Sequence, residues 1–289
     1  MDKALDVTPR VIEDAGFFDG PAGRLYRRIA RPTNRAVARL SIVHGYGDHS
    51  GRYAHFMQWM ALRGVACGAV DLRGQGAADG RRGFVRRWED YLDDVRAFLS
   101  LPAPGETEAA PRFILGHSHG GLVVAAAGEA GLLETAGIRG VVLTSPFLQS
   151  RMELPRVKVV LGRLVGLAIP WLPVSTGLNA EWMSSDSEMV EQTRNDPLCA
   201  RVATPRWYAG QLRAQQRVME NAASFRLPLL VLAAGADPIA EPAAAERFVQ
   251  RVGSAEKAFR ILPGLLHELL RERGREQIFQ EILTWVTSR

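Results

Sequence analysis

Cysteine is scarce. Cys67 and Cys199 are the two in 289 residues. They form no CxxC pair and no paired-histidine motif, so neither a disulfide framework nor a zinc site is indicated. Each reads as a small buried hydrophobe. Lysine is scarce too, confined to Lys3, Lys158 and Lys257, so the formal charge of +5 is an arginine charge. The arginines are scattered, densest at Arg81–Arg87 and Arg271–Arg275, without a basic stripe interleaved with aromatics. Nucleic acid is therefore not an expected partner. Long apolar runs are missing. The best stretch, Leu164 to Val174, is short and carries Pro170 and Pro173, so no bilayer span is expected. The opening MDKALDVTPRVIEDAG lacks the apolar core of a signal peptide, and the cytoplasm is the expected compartment. Internal repeats and low-complexity tracts are also missing.

What is present is ordinary globular material: 47% apolar and 23% charged residues. The length fits one large domain or two small ones. Short apolar runs alternate with helical patterns. The runs are Ala38–Val43, Val65–Val70, Arg112–Leu115, Gly140–Thr144, Leu229–Ala233 and Ala258–Leu262, each apolar almost throughout, as in strands buried on both faces. Trp88–Leu99 and Gly274–Val286 repeat apolar residues every three or four positions, the helical period. This alternation predicts an α/β fold with a mostly parallel sheet covered on both sides. Near the start, FFDG-PAG-RLYRRIA reads as a hairpin on an antiparallel edge. The rhythm breaks once, from Pro146 to about Arg206, where Pro155, Pro170, Pro173, Pro197 and Pro205 interrupt mixed helical fragments. The expected division is a core of residues 1–145 and 207–289 with an inserted helical cap at 146–206, following a strand end where ligand loops gather.

The strongest local signal is Gly116-His117-Ser118-His119-Gly120-Gly121, a G-x-S-x-G pattern between a strand-like and a helix-like run. A strand turning sharply into a helix strains the central backbone, and side chains two positions either side would collide. Gly116 and Gly120 remove them. Ser118 is then exposed at a helix N-terminus, where N–H groups favour a developing oxyanion. A serine nucleophile needs a base, and the base needs an orienting acid, in the chain order Ser, acid, His. His267 is the one histidine downstream of His119. Asp237 follows the preceding apolar run, with Pro238 fixing the turn; Glu241 and Glu268 are weaker competitors for its role. His44-Gly45-Tyr46-Gly47 ends an earlier strand, and its glycines let backbone approach a ligand. The backbone N–H groups of Tyr46 and His119 are the candidate oxyanion donors. His44 and His49 read as loop structure. His119 reads as a helix residue turned away from His267 rather than a rival base. His44, His49, His117 and His119 show no carboxylate or cysteine partners at metal-ligand spacing, so no metal is expected.

Taken together these residues resemble the α/β-hydrolase superfamily, and within it the monoacylglycerol lipase and lysophospholipase group of serine aminopeptidase type. HGYGDHSGRY resembles that group's HG-x-G-E-H-S-G-R-Y, and DLRGQGAADGRRG resembles its D-x-R-G-H-G-x-S-x-G-x-R-G. GHSHGG resembles G-H-S-M-G-G, while SPF, NDPL and AAGADPIAEP resemble further motifs of the group. The departures are His119 for Met, Gln75 for His, Ala77-Ala78 in place of the usual Ser, and Asp48 for Glu.

The resemblance implies an eight-stranded α/β-hydrolase fold and a cofactor-free serine ester hydrolase acting on single-acyl-chain lipids. Monoacylglycerol or lysophospholipid is the implied substrate. Gly45, Leu148, Leu161, Leu164, Val165 and Ile169 are the candidate substrate-binding residues. The apolar cap segment Lys158–Pro173 is expected either to pack on the main domain or to meet a membrane or micelle surface, which at the inner membrane would make the protein peripheral. Epoxide hydrolases and dehalogenases of this fold use an aspartate where Ser118 stands. Thioesterase or peptidase action by the same residues, or a non-catalytic ligand receptor on this scaffold, are the alternatives.

Overall fold

The structure, a computed structural model, describes residues 10–102, 110–152 and 168–289. Ten strands occur among them: β1 (Val11–Gly20), β2 (Gly23–Pro32), β3 (Ala38–Val43), β4 (Val65–Asp71), β5 (Arg112–His117), β6 (Ile138–Thr144), β7 (Val174–Ser175), β8 (Val202–Ala203), β9 (Leu229–Ala234) and β10 (Lys257–Leu262). Eight of them form one sheet in the order β1-β2-β4-β3-β5-β6-β9-β10. β1 and β2 pair antiparallel, as do β2 and β4, and every other pairing in that sheet is parallel. The fold is α/β, and the α/β-hydrolase architecture implied by the motifs is the one found.

The strands are apolar at both parities because each face has its own core. Ile114, Val141, Leu143, Val231 and Ala233 pack on one side, against the helix His119–Glu129 and Trp207, Ala214 and Val218. Phe113, Leu115, Val142, Leu230 and Leu232 pack on the other, with Phe56, Met60, Phe279, Ile282 and Trp285. Alternate residues therefore serve opposite cores. Cys67 lies in the second core, as expected of a small apolar side chain.

Three expectations need correction. β10 is not buried on both faces. It is the sheet edge, pairs with β9 alone, and leaves Ile261 largely exposed. The inserted region is also not wholly helical, since β7 and β8 form a two-residue antiparallel ribbon within it. That ribbon is too short to leave a period in the sequence. The helix of the Trp88 region begins at Asp90, and Trp88 lies before it with its indole N–H on Gln211 Oε1 at 3.1 Å. Pro205–Asn221 forms a long helix capped by Thr204, with Pro205 in its first turn, and carries the chain out of the insertion onto the core.

Candidate active site

Four of the candidate residues come from loops at the carboxyl ends of strands: Tyr46 after β3, Ser118 after β5, Asp237 after β9 and His267 after β10. This is where ligands meet parallel sheets. Ser118 has φ 52° and ψ −116°, a strained conformation for a side-chain-bearing residue. Its N–H donates to Thr144 O at 3.0 Å, and its carbonyl accepts from Leu122 and Phe147 N–H. Those bonds hold the strain. A Cβ on Gly116 would fall 2.6 Å from Gly120 O, and one on Gly120 would collide with Val43 O and His44 O. The glycine spacing is thus required by the turn itself.

His267 Nε2 lies 2.8 Å from Ser118 Oγ, and its Nδ1 lies 2.7 Å from Asp237 Oδ2. All three residues are buried. Burial by itself raises the Asp237 pKa. The His267 charge and bond, with the N–H groups of Ala240 and Ile239 on Oδ1, outweigh it and hold the carboxyl below its ordinary range. An ionised Asp237 keeps the Nδ1 proton on His267 and leaves Nε2 free to accept from the serine hydroxyl. His117, with its ring 5.0 Å from that of His267, is pushed down to about 4, by burial first and by His267 second. It stays neutral beside His267.

The loop after β3 is fixed by side chains. His44 Nε2 accepts Leu72 N–H at 3.1 Å, so its Nδ1–H donates to Gly45 O at 2.6 Å. Gln75 Oε1 accepts Gly47 N–H at 3.1 Å, and Gly47 O accepts Ala200 N–H. A Cβ on Gly45 would sit 3.3 Å from Ser118 Cβ, which puts this backbone against the serine. Tyr46 is the next residue. His119 opens a helix, where N–H groups have no intrahelical acceptor. His119 makes no bond to Ser118 or His267. Its Nδ1 lies 2.8 Å from Gln211 Oε1, and burial pushes its pKa down to about 3.

Beside the His267 loop lies a buried ionic network that ties the HGYGDHSGRY segment to Glu268 and Arg271. Arg52 meets both oxygens of Glu268 and, through Nε, Asp48 Oδ1 at 2.7 Å. Arg271 Nε lies 3.2 Å from Glu268 Oε2, and Tyr53 donates to Asp48. Arg52 also donates to Thr193 of the insertion. The insertion grips the same loop directly, as His267 and Glu268 N–H donate to Trp182 and Met183 carbonyls. Asp48 would rise on burial, but Arg52 and then the nearby histidines hold its pKa well below the carboxylate range. That lowered pKa contributes stability above the ordinary carboxylate range, and the contribution is lost as pH falls toward the folded-state value. Arg52→Leu removes the cation shared by two buried acids, and breaking such a buried pair costs about 3–5 kcal/mol. Urea unfolding at neutral pH is expected to show that loss as a lower midpoint; an unchanged midpoint would remove the network from the stability account.

His49 departs from expectation. It does have carboxylate and thiol neighbours: its Nε2 is 2.8 Å from Asp196, and its donor atom, an Asp196 oxygen and Cys199 Sγ lie within 4.8 Å of one another. Sequence spacing hid this, because Asp196 and Cys199 return from the far end of the insertion. These donors already have partners. His49 Nδ1 accepts Gly51 N–H, and Arg52 lies 3.6 Å from Cys199 Sγ. Burial pushes the Cys199 thiol up to about 12. Cys199 is half-buried on a cation rather than in an apolar core.

Among the candidate substrate-binding residues, Leu148 is buried in the core and Ile169 is 41% exposed. Leu161, Leu164 and Val165 lie outside the described residues. Glu241 caps the helix Pro242–Arg251 and Glu268 is held by Arg52, so neither sits where Asp237 does. No helix of the described residues is long and apolar enough to cross a membrane.

A mostly parallel eight-stranded sheet with a strained serine turn at the carboxyl end of a central strand defines an α/β-hydrolase. Residues 34–274 match the family described as serine aminopeptidase, S33, and the chain belongs to that family. It is 31% identical to phospholipase YtpA of Bacillus subtilis over 86% of this chain and 94% of that one. It is 30% identical to a monoacylglycerol lipase of Mycolicibacterium smegmatis over 94% and 96%. The structure of the Paleococcus ferrophilus monoacylglycerol lipase superposes with a TM-score of 0.78 at 26% identity, covering 91% of this chain and 98% of that one. The chain is a carboxylic ester hydrolase.

Proposed function

We propose that this chain hydrolyses esters of single-acyl-chain lipids through an acyl-enzyme on Ser118. The observation that carries the reading is the continuous chain of contacts from Ser118 Oγ through His267 to Asp237. Ser118 Oγ attacks the acyl carbonyl as its proton passes to His267 Nε2. Asp237 stabilises the imidazolium. The N–H groups of Tyr46 and His119 receive the oxyanion. His267 returns the proton to the leaving alcohol, then activates water to attack the acyl-enzyme, releasing the fatty acid and restoring Ser118. Neither a cofactor nor a metal enters these steps.

Relatives named as phospholipase and monoacylglycerol lipase support a lipid ester, with monoacylglycerol or lysophospholipid as the leading substrates. We assign residues 146–206 as the cap over the site. Its described part exposes Ile169, Trp171, Leu172 and Val174 in one short segment, which favours contact with a lipid surface. One assay addresses both points: hydrolysis of monoacylglycerols of graded chain length, free and in vesicles, beside lysophosphatidylcholine and an aminoacyl arylamide. Turnover of the lipid esters, faster on vesicles, with the arylamide untouched is the expected result. Preference for the arylamide would replace the lipase reading with a peptidase, and equal rates with and without vesicles would remove the surface role.

A further inference from the structure

His119 stands where the related motif has Met, and its surroundings give the exchange a purpose. Its ring is 1% exposed and is enclosed edge-on or tilted by Tyr46, Trp88, Tyr91 and Trp207, with ring centroids 5.9, 6.1, 4.9 and 5.6 Å away. Tyr46 packs on Trp207 at 3.8 Å between centroids and donates its hydroxyl to Val202 O at 2.7 Å. The two residues assigned to the oxyanion thus bury their side chains in one cluster, on the helix Pro205–Asn221.

The polar fastening of that cluster is Gln211, itself 1% exposed. Its Oε1 accepts the Trp88 indole N–H at 3.1 Å and lies 2.8 Å from His119 Nδ1. An indole nitrogen only donates, so the Gln211 carbonyl faces this group and His119 Nδ1 must carry the proton. A hydrogen bond shielded from water holds its geometry against competition.

We infer that His119 and Gln211 are a positioning pair that fixes the oxyanion-binding backbone to the helix leading out of the cap. The inference rests on the assignment of the Tyr46 and His119 amides as oxyanion donors. Neither side chain touches substrate. They act by holding two N–H groups at the spacing a tetrahedral intermediate needs. Such donors act over a few tenths of an ångström, so loosening them costs turnover while leaving ground-state binding in place.

The test is a double-mutant cycle read as kcat, KM and affinity for an alkylboronic acid, which forms a tetrahedral adduct with an active-site serine. Gln211→Leu leaves the His119 Nδ1–H buried without an acceptor. It is expected to lower kcat about 10- to 100-fold, to weaken the boronic acid in proportion, and to leave KM within about twofold. In the His119→Met background the same Gln211→Leu change should lower kcat by a factor at least about threefold smaller, because no imidazole proton remains to be stranded. Trp88 loses its acceptor in both backgrounds, so that effect cancels.

His119→Phe keeps an aromatic ring and leaves Gln211 Oε1 bonded to Trp88. It should fold even where Gln211→Leu does not, and should show the same fall in kcat at constant KM. Equal losses from Gln211→Leu in both backgrounds, or a His119→Phe enzyme with wild-type kcat and boronic-acid affinity, would overturn the pair. Failure of the proposed Ser118 nucleophile looks different: the unsubstituted enzyme would then bind no boronic acid at Ser118.

Discussion

Ser118→Ala is expected to lower kcat for p-nitrophenyl esters by roughly 10⁴–10⁶-fold, the range seen when a nucleophile is removed from comparable triads. KM should change little, because the acyl chain and the oxyanion backbone are untouched. The turn should also survive, since its strain is held by backbone bonds to Thr144, Leu122 and Phe147 rather than by the hydroxyl. The variant is therefore a folded enzyme without a nucleophile. Near-normal turnover would remove Ser118 from the mechanism.

Asp237→Asn is expected to cost about 10⁴-fold in kcat, for a reason visible in the loop. Oδ1 of Asp237 accepts the N–H groups of Ile239 and Ala240 at 2.8 and 3.0 Å. An asparagine must leave its carbonyl oxygen there, so its amide N–H₂ faces His267 Nδ1. That nitrogen becomes the acceptor, the imidazole proton moves to Nε2, and Nε2 then faces Ser118 Oγ as a donor. The base is held in the wrong tautomer. Stopped-flow acylation rates against pH measure the loss, and a variant within tenfold of wild type would contradict the assigned orientation.

How much of this can be read without coordinates depends on whether a constraint is local. The serine turn is local: Gly116 and Gly120 clear space that neighbouring backbone fills, so the motif and the geometry are one statement. The paired strands are nearly as legible, because β3, β5, β6 and β9 bury residues on both faces and are apolar over most of their length. β10 misleads, since an edge strand can be apolar without being enclosed. Gln211 is invisible from sequence. It is one polar residue on a long helix, and only packing puts it on His119 and Trp88. The same holds for Asp196 and Cys199 against His49, and for Glu268 against Arg52. Each joins segments about a hundred residues apart or more, and sequence spacing carries no record of such meetings.

The account is tested most directly by exposing the intact enzyme to a fluorophosphonate and locating the adduct by peptide mass spectrometry. Such a probe reacts with a serine whose proton is being withdrawn and whose oxyanion is held. One adduct per chain, on the peptide containing Ser118 and lost in His267→Ala, is the predicted result. An unmodified enzyme, or an adduct on a different serine, would contradict it.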